Sequence, residues 1–72
     1  MEIDVLKIFA ERLKDLRIEK QLSAIKLSKE LGINDTTILR WEKCVMTPNI
    51  INLYKIATYF GVSADYLVGL EN

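Results

Sequence analysis

The chain has 72 residues, half of them hydrophobic, and its 10 basic and 10 acidic side chains leave a formal net charge of zero. A chain of this length forms one domain that buries only about 60% of its unfolded surface. One cysteine and no histidine exclude an internal disulfide and a metal site of Cys and His ligands, and no cofactor is expected.

The first 14 residues, MEIDVLKIFAERLK, are amphipathic and contain acidic residues early. They have no continuous apolar region followed by a small-residue cleavage site, so no signal peptide is expected. No segment approaches the roughly 18 apolar residues of a membrane span. A lone thiol agrees with a reducing compartment. We therefore expect a cytoplasmic protein that makes no contact with a membrane.

Capping residues and apolar residues at helical spacing predict five helices and no strand. Helix 1 spans about residues 4–20, with Asp4 as its N-cap. Its apolar residues recur every three or four positions and predict a buried face formed by Leu6, Phe9, Leu13 and Leu16. Ser23 is expected to cap helix 2, at about residues 24–31, and Gly32 to end it because glycine accepts the left-handed conformation.

Helix 3 is expected at about residues 35–43, with Asn34 as its cap. Because only Gly32, Ile33 and Asn34 separate helices 2 and 3, the two helices must cross steeply. Ser28, one turn before Gly32, is small enough to allow a close crossing. Five apolar residues would then face the interior together: Leu27, Leu31, Ile33, Ile38 and Trp41. This is the layout of a DNA-binding helix-turn-helix, whose second helix lies in the major groove.

Two further helices follow. Thr47 and Pro48 predict the start of helix 4, because proline suits the first helical position. This helix is expected to end at Gly61. Ser63 is expected to cap helix 5, at about residues 64–70.

From Arg12 to Leu70 the chain resembles the phage-repressor/Cro-type helix-turn-helix domains, also called the XRE family. The matching residues are RLKDLRIEKQLS, LSKELGINDTTILRWE, Pro48 and LYKIATYFGVSADYLVGL. The resemblance implies an all-α, five-helix bundle of the lambda-repressor-like type, with residues 1–72 as a single domain. It also implies a sequence-specific, repressor-like transcriptional regulator that binds double-stranded DNA, with helix 3 in the major groove and a homodimer on a palindromic operator. The dimer surface is expected near helix 5, with Tyr66, Val68 and Leu70 as candidates.

The resemblance also assigns residues to the DNA. Bases would be read by Asn34, Asp35, Thr36 and Arg40, and phosphates held by Ser23, Thr37 and Lys43. In related domains an arginine of helix 1 bonds the glutamate that follows the aromatic residue of helix 3. The corresponding pair here, Arg17 and Glu42, is expected to form a salt bridge that orients helix 3.

The chemistry of the base-reading candidates leaves alternatives open. The forked guanidinium of Arg40 suits guanine O6 and N7, although Arg40 could instead pair with an acid in solvent. Thr36 could offer a hydroxyl to a base or simply start the helix. Asp35 could accept from cytosine N4 or act only on the helix dipole. Asn34 is expected to act first as the cap of helix 3 and second as a contact to a phosphate or a base. Leu39, which points partly outward, could meet a thymine methyl or simply be exposed.

Several residues depart from the family pattern. Ala24 replaces a glutamine that contacts DNA, and Cys44 stands where glycine is usual, which costs about 1 kcal/mol if the left-handed conformation is kept. Val45 and Met46 replace residues that are often basic. Together with Ala24, Leu39 and Ile25, they could form an apolar patch for a protein partner, with Ile25, Val45 and Met46 as its main candidates. Alternatively, Val45 or Met46 folds inward.

These features allow three classes of function to be weighed against the charge distribution of the chain. Residues 12–43 carry eight basic and five acidic side chains, an excess of +3 that favours DNA binding over the neutral total. The alternative is a protein-interaction module that keeps the fold and has weak or lost DNA binding. An enzyme is not expected, because histidine, paired carboxylates and a phosphate-binding glycine loop are lacking.

Overall fold

Five α-helices follow one another in the computed structural model, which describes residues 4–72. They are α1 (Val5–Glu19), α2 (Ala24–Leu31), α3 (Thr37–Glu42), α4 (Ile50–Phe60) and α5 (Ala64–Val68). No strand occurs within residues 4–72, so the all-α, five-helix architecture is confirmed. Residues 1–3, which the sequence assigns to the same domain, lie outside the described residues. Among the described helices, none combines the length and apolar character needed to cross a membrane.

Three helices begin at the caps that the sequence predicts. In each case the side-chain oxygen of the cap accepts a hydrogen bond of 3.0 Å from the backbone N–H three residues later. The caps are Asp4, Ser23 and Ser63. Because an N-cap acts within one turn of the chain, its effect depends on local sequence more than on the rest of the fold.

Helix α4 begins later than expected. The prediction that Thr47 and Pro48 open this helix is wrong, since Asn49 is the N-cap and its Oδ1 accepts from the backbone N–H of Asn52 at 2.7 Å. Pro48 precedes the cap, where its missing N–H costs no helical hydrogen bond. Helix α5 is shorter than expected and ends at Val68, because the next residue adopts a left-handed conformation.

The core lies where α1, α2 and α3 meet α4 and α5. Its largest fully buried apolar side chains are Trp41, Phe9, Leu13, Leu27, Ile38, Ile56 and Leu67. The rings of Phe9 and Trp41 meet edge to face, with centroids 6.0 Å apart and an interplanar angle of 70°. The indole N–H of Trp41 has no acceptor among residues 4–72, so packing alone holds this ring. Trp41 is therefore a core residue rather than a base-stacking platform.

Arg12 ties α1 to the C-terminal end of the described chain. Its guanidinium lies 4.4 Å from the centroid of the Tyr66 ring. Its Nη1 donates to the backbone oxygen of Tyr66 and, at 2.6 Å, to that of Glu71. Tyr66 is thus partly covered by Arg12, and less of its ring is available to another protein.

The chain leaves α3 through a strained residue. Cys44 has φ 60°, the left-handed conformation that glycine would adopt more easily. The backbone N–H of Cys44 donates to the oxygen of Trp41, and that of Val45 to the oxygen of Arg40, each at 3.0 Å. The chain therefore reverses its direction after α3 although this position holds no glycine. Val45 is 70% exposed and does not fold inward; Met46 is 38% exposed.

The strain at Cys44 predicts that Cys44→Gly raises the free energy of unfolding by about 1 kcal/mol, because glycine removes the Cβ contact that disfavours positive φ. Urea denaturation followed by circular dichroism measures the change. Cys44→Ala is the matched control, since it removes the thiol and keeps the Cβ, and it is expected to leave stability near the wild-type value. Equal stabilisation by both substitutions would assign the effect to the thiol.

Candidate nucleic-acid interface

The corner between α2 and α3 is shaped by one glycine and one buried serine. Gly32 has φ 70° and ends α2. Ser28 is fully buried, and its hydroxyl contacts the backbone oxygen of Ala24 at 2.9 Å and that of Asp35 at 3.5 Å. The backbone N–H of Ile33 also donates to the backbone oxygen of Ser28, at 3.0 Å. Ser28 therefore contacts both sides of the corner and restrains the approach to α3.

Helix α3 is shorter at both ends than the expected span of about 35–43. It begins at Thr37 and ends at Glu42. Asn34 does not cap it in the expected way: its Oδ1 accepts from the backbone N–H of Thr36 at 3.0 Å and from the Thr36 hydroxyl at 2.8 Å. These bonds close a turn within residues 34–36. Thr36 then occupies the N-cap position of α3, but its side chain accepts no hydrogen bond from the backbone of the helix.

One face of α3 points out of the protein. Its exposed side chains follow the helical spacing of three and four residues and comprise Thr36, Leu39, Arg40 and Lys43. We call these four residues the outer face of α3. The opposite side carries Ile38 and Trp41, which are 0% and 1% exposed. Arg40 forms no salt bridge within the described part of the chain, so the expected alternative of pairing with an acid is not seen.

The other base-reading candidates lie immediately before this face. Asn34 and Asp35 are exposed in the turn that leads into α3. The carboxamide oxygen of Asn34 is engaged by Thr36, whereas its amide group forms no hydrogen bond within residues 4–72. Asn34 can therefore still donate to an acceptor outside the protein. The structure thus places Asn34, Asp35, Thr36 and Arg40 on α3 and its entry turn.

The phosphate candidates differ in availability. The oxygen of Ser23 accepts the capping bond of α2, and its hydroxyl hydrogen can still be donated. Thr37 is half-buried, while Lys43, at the C-cap of α3, is exposed. Ala24 is only 8% exposed and is therefore not part of an outer apolar patch.

Arg17 and Glu42 connect α1 to the last residue of α3 through two parallel hydrogen bonds. Nε donates to Oε2 at 2.7 Å and Nη2 to Oε1 at 2.8 Å, while Nη1 donates to the backbone oxygen of Leu22 at 2.9 Å. The side chains are 14% and 8% exposed. The hydrogen bond to Glu42 raises the pKa of Arg17 despite burial, so the guanidinium stays charged.

Two contacts in the structure are not predicted by the sequence. Ser28 was expected only to be small, yet its hydroxyl approaches the backbone of Asp35. Arg12 was not expected to cover Tyr66, because the two residues are separated by 54 positions. No local spacing signals either contact, since each depends on how distant segments pack.

The short turn between α2 and α3, the buried side of α3 and its exposed outer face define a helix-turn-helix domain of the Cro/XRE type. The model of a helix-turn-helix domain family matches residues 10–72, and the chain belongs to this family. The family comprises transcription regulators rather than enzymes.

Two curated relatives show the range of such regulators. The cryptic phage CTXphi transcriptional repressor RstR of Vibrio cholerae is 30% identical over 61 residues, covering 85% of this chain and 55% of the relative. The HTH-type transcriptional activator BcrR of Enterococcus faecalis is 35% identical over 63 residues, covering 88% of this chain and 31% of the relative. The chain thus spans about half of one relative's length and a third of the other's.

A solved structure extends the comparison to a DNA complex. The P22 c2 repressor, crystallised with a synthetic operator, superposes with a TM-score of 0.80 and 27% sequence identity. The match covers 88% of this chain and 96% of that protein. The five-helix architecture is therefore that of a known operator-binding domain.

The geometry predicts that Glu42→Ala lowers the free energy of unfolding by about 3 kcal/mol, because it leaves the guanidinium of Arg17 largely buried without its carboxylate. The double variant Arg17→Met/Glu42→Leu removes both charges and is expected to recover most of this loss. Urea denaturation of the two variants makes the comparison. A single variant within about 0.5 kcal/mol of wild type would contradict the importance of the pair.

Proposed function

We propose that the protein is a sequence-specific, repressor-like transcriptional regulator that inserts α3 into the major groove of operator DNA. The outer face of α3 carries this proposal, because an exposed arginine, lysine and threonine project from a short helix whose other side is buried in the core. The relatives support it, since one is a transcriptional repressor and another a transcriptional activator.

Each base-reading residue is given a role from its chemistry. Arg40, whose guanidinium is unpaired within residues 4–72, donates to guanine O6 and N7. Thr36 gives its hydroxyl hydrogen to Asn34, so its oxygen serves as an acceptor for a base amino group. Asn34 donates through its amide group, and Asp35 accepts from cytosine N4.

Phosphate contacts set the position of the helix on the duplex. Ser23 at the start of α2, Thr37 at the start of α3 and Lys43 at the end of α3 are proposed to hold them. The Arg17–Glu42 pair acts through α3 rather than on DNA: by joining α1 to the end of α3, it orients the outer face. The excess of three positive charges within residues 12–43 favours the approach of a polyanion despite a neutral total.

We also propose that the regulator binds as a homodimer, so that two copies of α3 meet two half-sites about one helical turn apart. Of the three dimer candidates, Tyr66 and Val68 are half-buried, whereas Leu70 is 76% exposed. Helix α4 adds a larger apolar surface, since Ile50 and Tyr54 are 81% and 70% exposed. The dimer surface is therefore proposed to include Leu70 and this side of α4.

A second function, a protein-interaction module with weak DNA binding, rests on a different observation. Ile25 and Val45 are 50% and 70% exposed, and Met46 is 38% exposed. Three exposed apolar residues close to the proposed DNA face would suit a protein partner. In this alternative the helix-turn-helix serves as a scaffold, and binding to any DNA pool is weak even at low salt.

Selection from a random DNA pool at two salt concentrations separates the two functions. The regulator is expected to enrich one palindromic sequence and to lose affinity steeply as salt rises.

Arg40→Ala should weaken binding to this sequence by about 1–3 kcal/mol and relax specificity at one base position. Lys43→Ala should weaken binding to all sequences and reduce the slope of log affinity against log salt concentration by about 1. Lys7→Ala, a charge-matched change on α1, is expected to have neither effect. Absence of enrichment at both salt concentrations would favour the interaction module.

The dimer surface predicts that Tyr54→Lys weakens self-association, because it places a charge in an apolar contact between two copies. Sedimentation equilibrium over a concentration series is expected to show a dissociation constant raised by about tenfold or more, equivalent to about 1.4 kcal/mol. Ile18→Lys, at an exposed position of α1, is the matched control. Unchanged association in Tyr54→Lys would remove α4 from the dimer surface.

A further inference from the structure

The outer face of α3 contains one side chain that cannot form a hydrogen bond. Leu39 is 41% exposed and lies between Thr36 and Arg40 in the helical spacing. It does not belong to the hydrophobic core or to the residues packed against it. Core packing therefore does not account for this aliphatic side chain on the proposed reading surface.

We propose that Leu39 is a specificity-determining residue that contacts the C5-methyl group of a thymine in the operator. The inference rests on the proposed function, since it requires α3 to lie in the major groove. This contact adds a preference for thymine at one base pair to the hydrogen bonds made by the polar base-reading residues.

The geometry of the helix supports this position. Leu39 lies three residues after Thr36, which corresponds to about 4.5 Å along the helix axis. Successive base pairs are about 3.4 Å apart, so side chains separated by this distance can reach neighbouring base pairs. Arg40 follows Leu39 at once and points only about 100° away around the helix. Leu39 can therefore reach a base pair beside those contacted by its polar neighbours.

The chemistry of the groove selects the partner. Donors and acceptors line the major groove, and the thymine methyl is the only apolar group that an unmodified base pair presents there. Leucine opposite an adenine or cytosine amino group would displace water without replacing its hydrogen bond. When leucine contacts the thymine methyl group, both apolar groups lose contact with water and no hydrogen bond is lost. One buried methyl group corresponds to about a fourfold gain in affinity.

The test replaces each thymine of the selected operator, one at a time, by deoxyuridine, which lacks only the methyl group. Wild-type protein is expected to lose about fourfold in affinity at one position of each half-site. Leu39→Ala is expected to bind the unmodified operator more weakly and to be insensitive to deoxyuridine at that position. Ile18→Ala, which truncates an exposed aliphatic side chain of α1, should keep the wild-type response. Circular dichroism and Tm of Leu39→Ala should match those of wild type.

Three outcomes would overturn the inference, and they are distinguishable. If wild type binds a selected operator and tolerates deoxyuridine at every thymine, the role of Leu39 is wrong and the proposed function stands. If Leu39→Ala retains the full methyl sensitivity of wild type, another residue contacts the methyl group. If wild type enriches no DNA sequence, the proposed function fails and this inference fails with it.

Discussion

Helix α3 has six residues, too few to be stable on its own, so its shape depends on what surrounds it. Ile38 and Trp41 anchor its inner side in the core, and Trp41 meets the ring of Phe9 on α1. Glu42 joins its last turn to Arg17. A helix held in this way can expose its other side without losing its conformation. The outer face of α3 is therefore a product of the core beneath it.

The two ends of α3 are restrained differently. At its start, a side-chain turn centred on Asn34 and the hydroxyl of the buried Ser28 restrain the backbone. At its end, Cys44 takes a left-handed conformation that costs stability. The strained cysteine keeps the path that glycine would give, so this departure from the family pattern affects stability more than shape. The departure that changes the surface is Val45, an exposed apolar residue at a position that is often basic in the family.

The distribution of exposed side chains reconciles a neutral chain with a proposed polyanionic partner. Positive charge is concentrated in residues 12–43, and two of its members, Arg40 and Lys43, lie on the outer face of α3. Two acidic residues of the same segment are engaged with basic ones, since Glu42 pairs with Arg17 and Glu30 with Lys26. Each pair cancels one charge of either sign, so the excess of positive charge in this segment stays on its other side chains, Arg40 and Lys43 among them.

The sequence by itself determined the features that depend on neighbouring residues: the all-α class, the caps at Asp4, Ser23 and Ser63, the apolar side of α1 and the reversal at Gly32. These follow from hydrogen bonds and spacings within one or two turns. On α1, Phe9 and Leu13 are buried, while Leu6 and Leu16 are partly buried against the core. Only the tertiary structure decided the start of α3. Asn34, expected to cap this helix, bonds Thr36 within a turn held against α2, and the helix begins later. Local rules also did not decide which of two nearby residues caps α4. Thr47 is the cap expected from the sequence, and Asn49 is the cap in the structure.

Contacts between distant segments were also settled by the fold alone. Arg12 covers part of Tyr66, which removes part of an expected dimer surface, and α4 leaves the ring of Tyr54 exposed. Periodicity identifies an apolar side of a helix but not whether another helix covers all of it. The fold covers only part of α4, because this helix packs mainly on α2 and α5 and residues 4–72 contain no further helix for its remaining side.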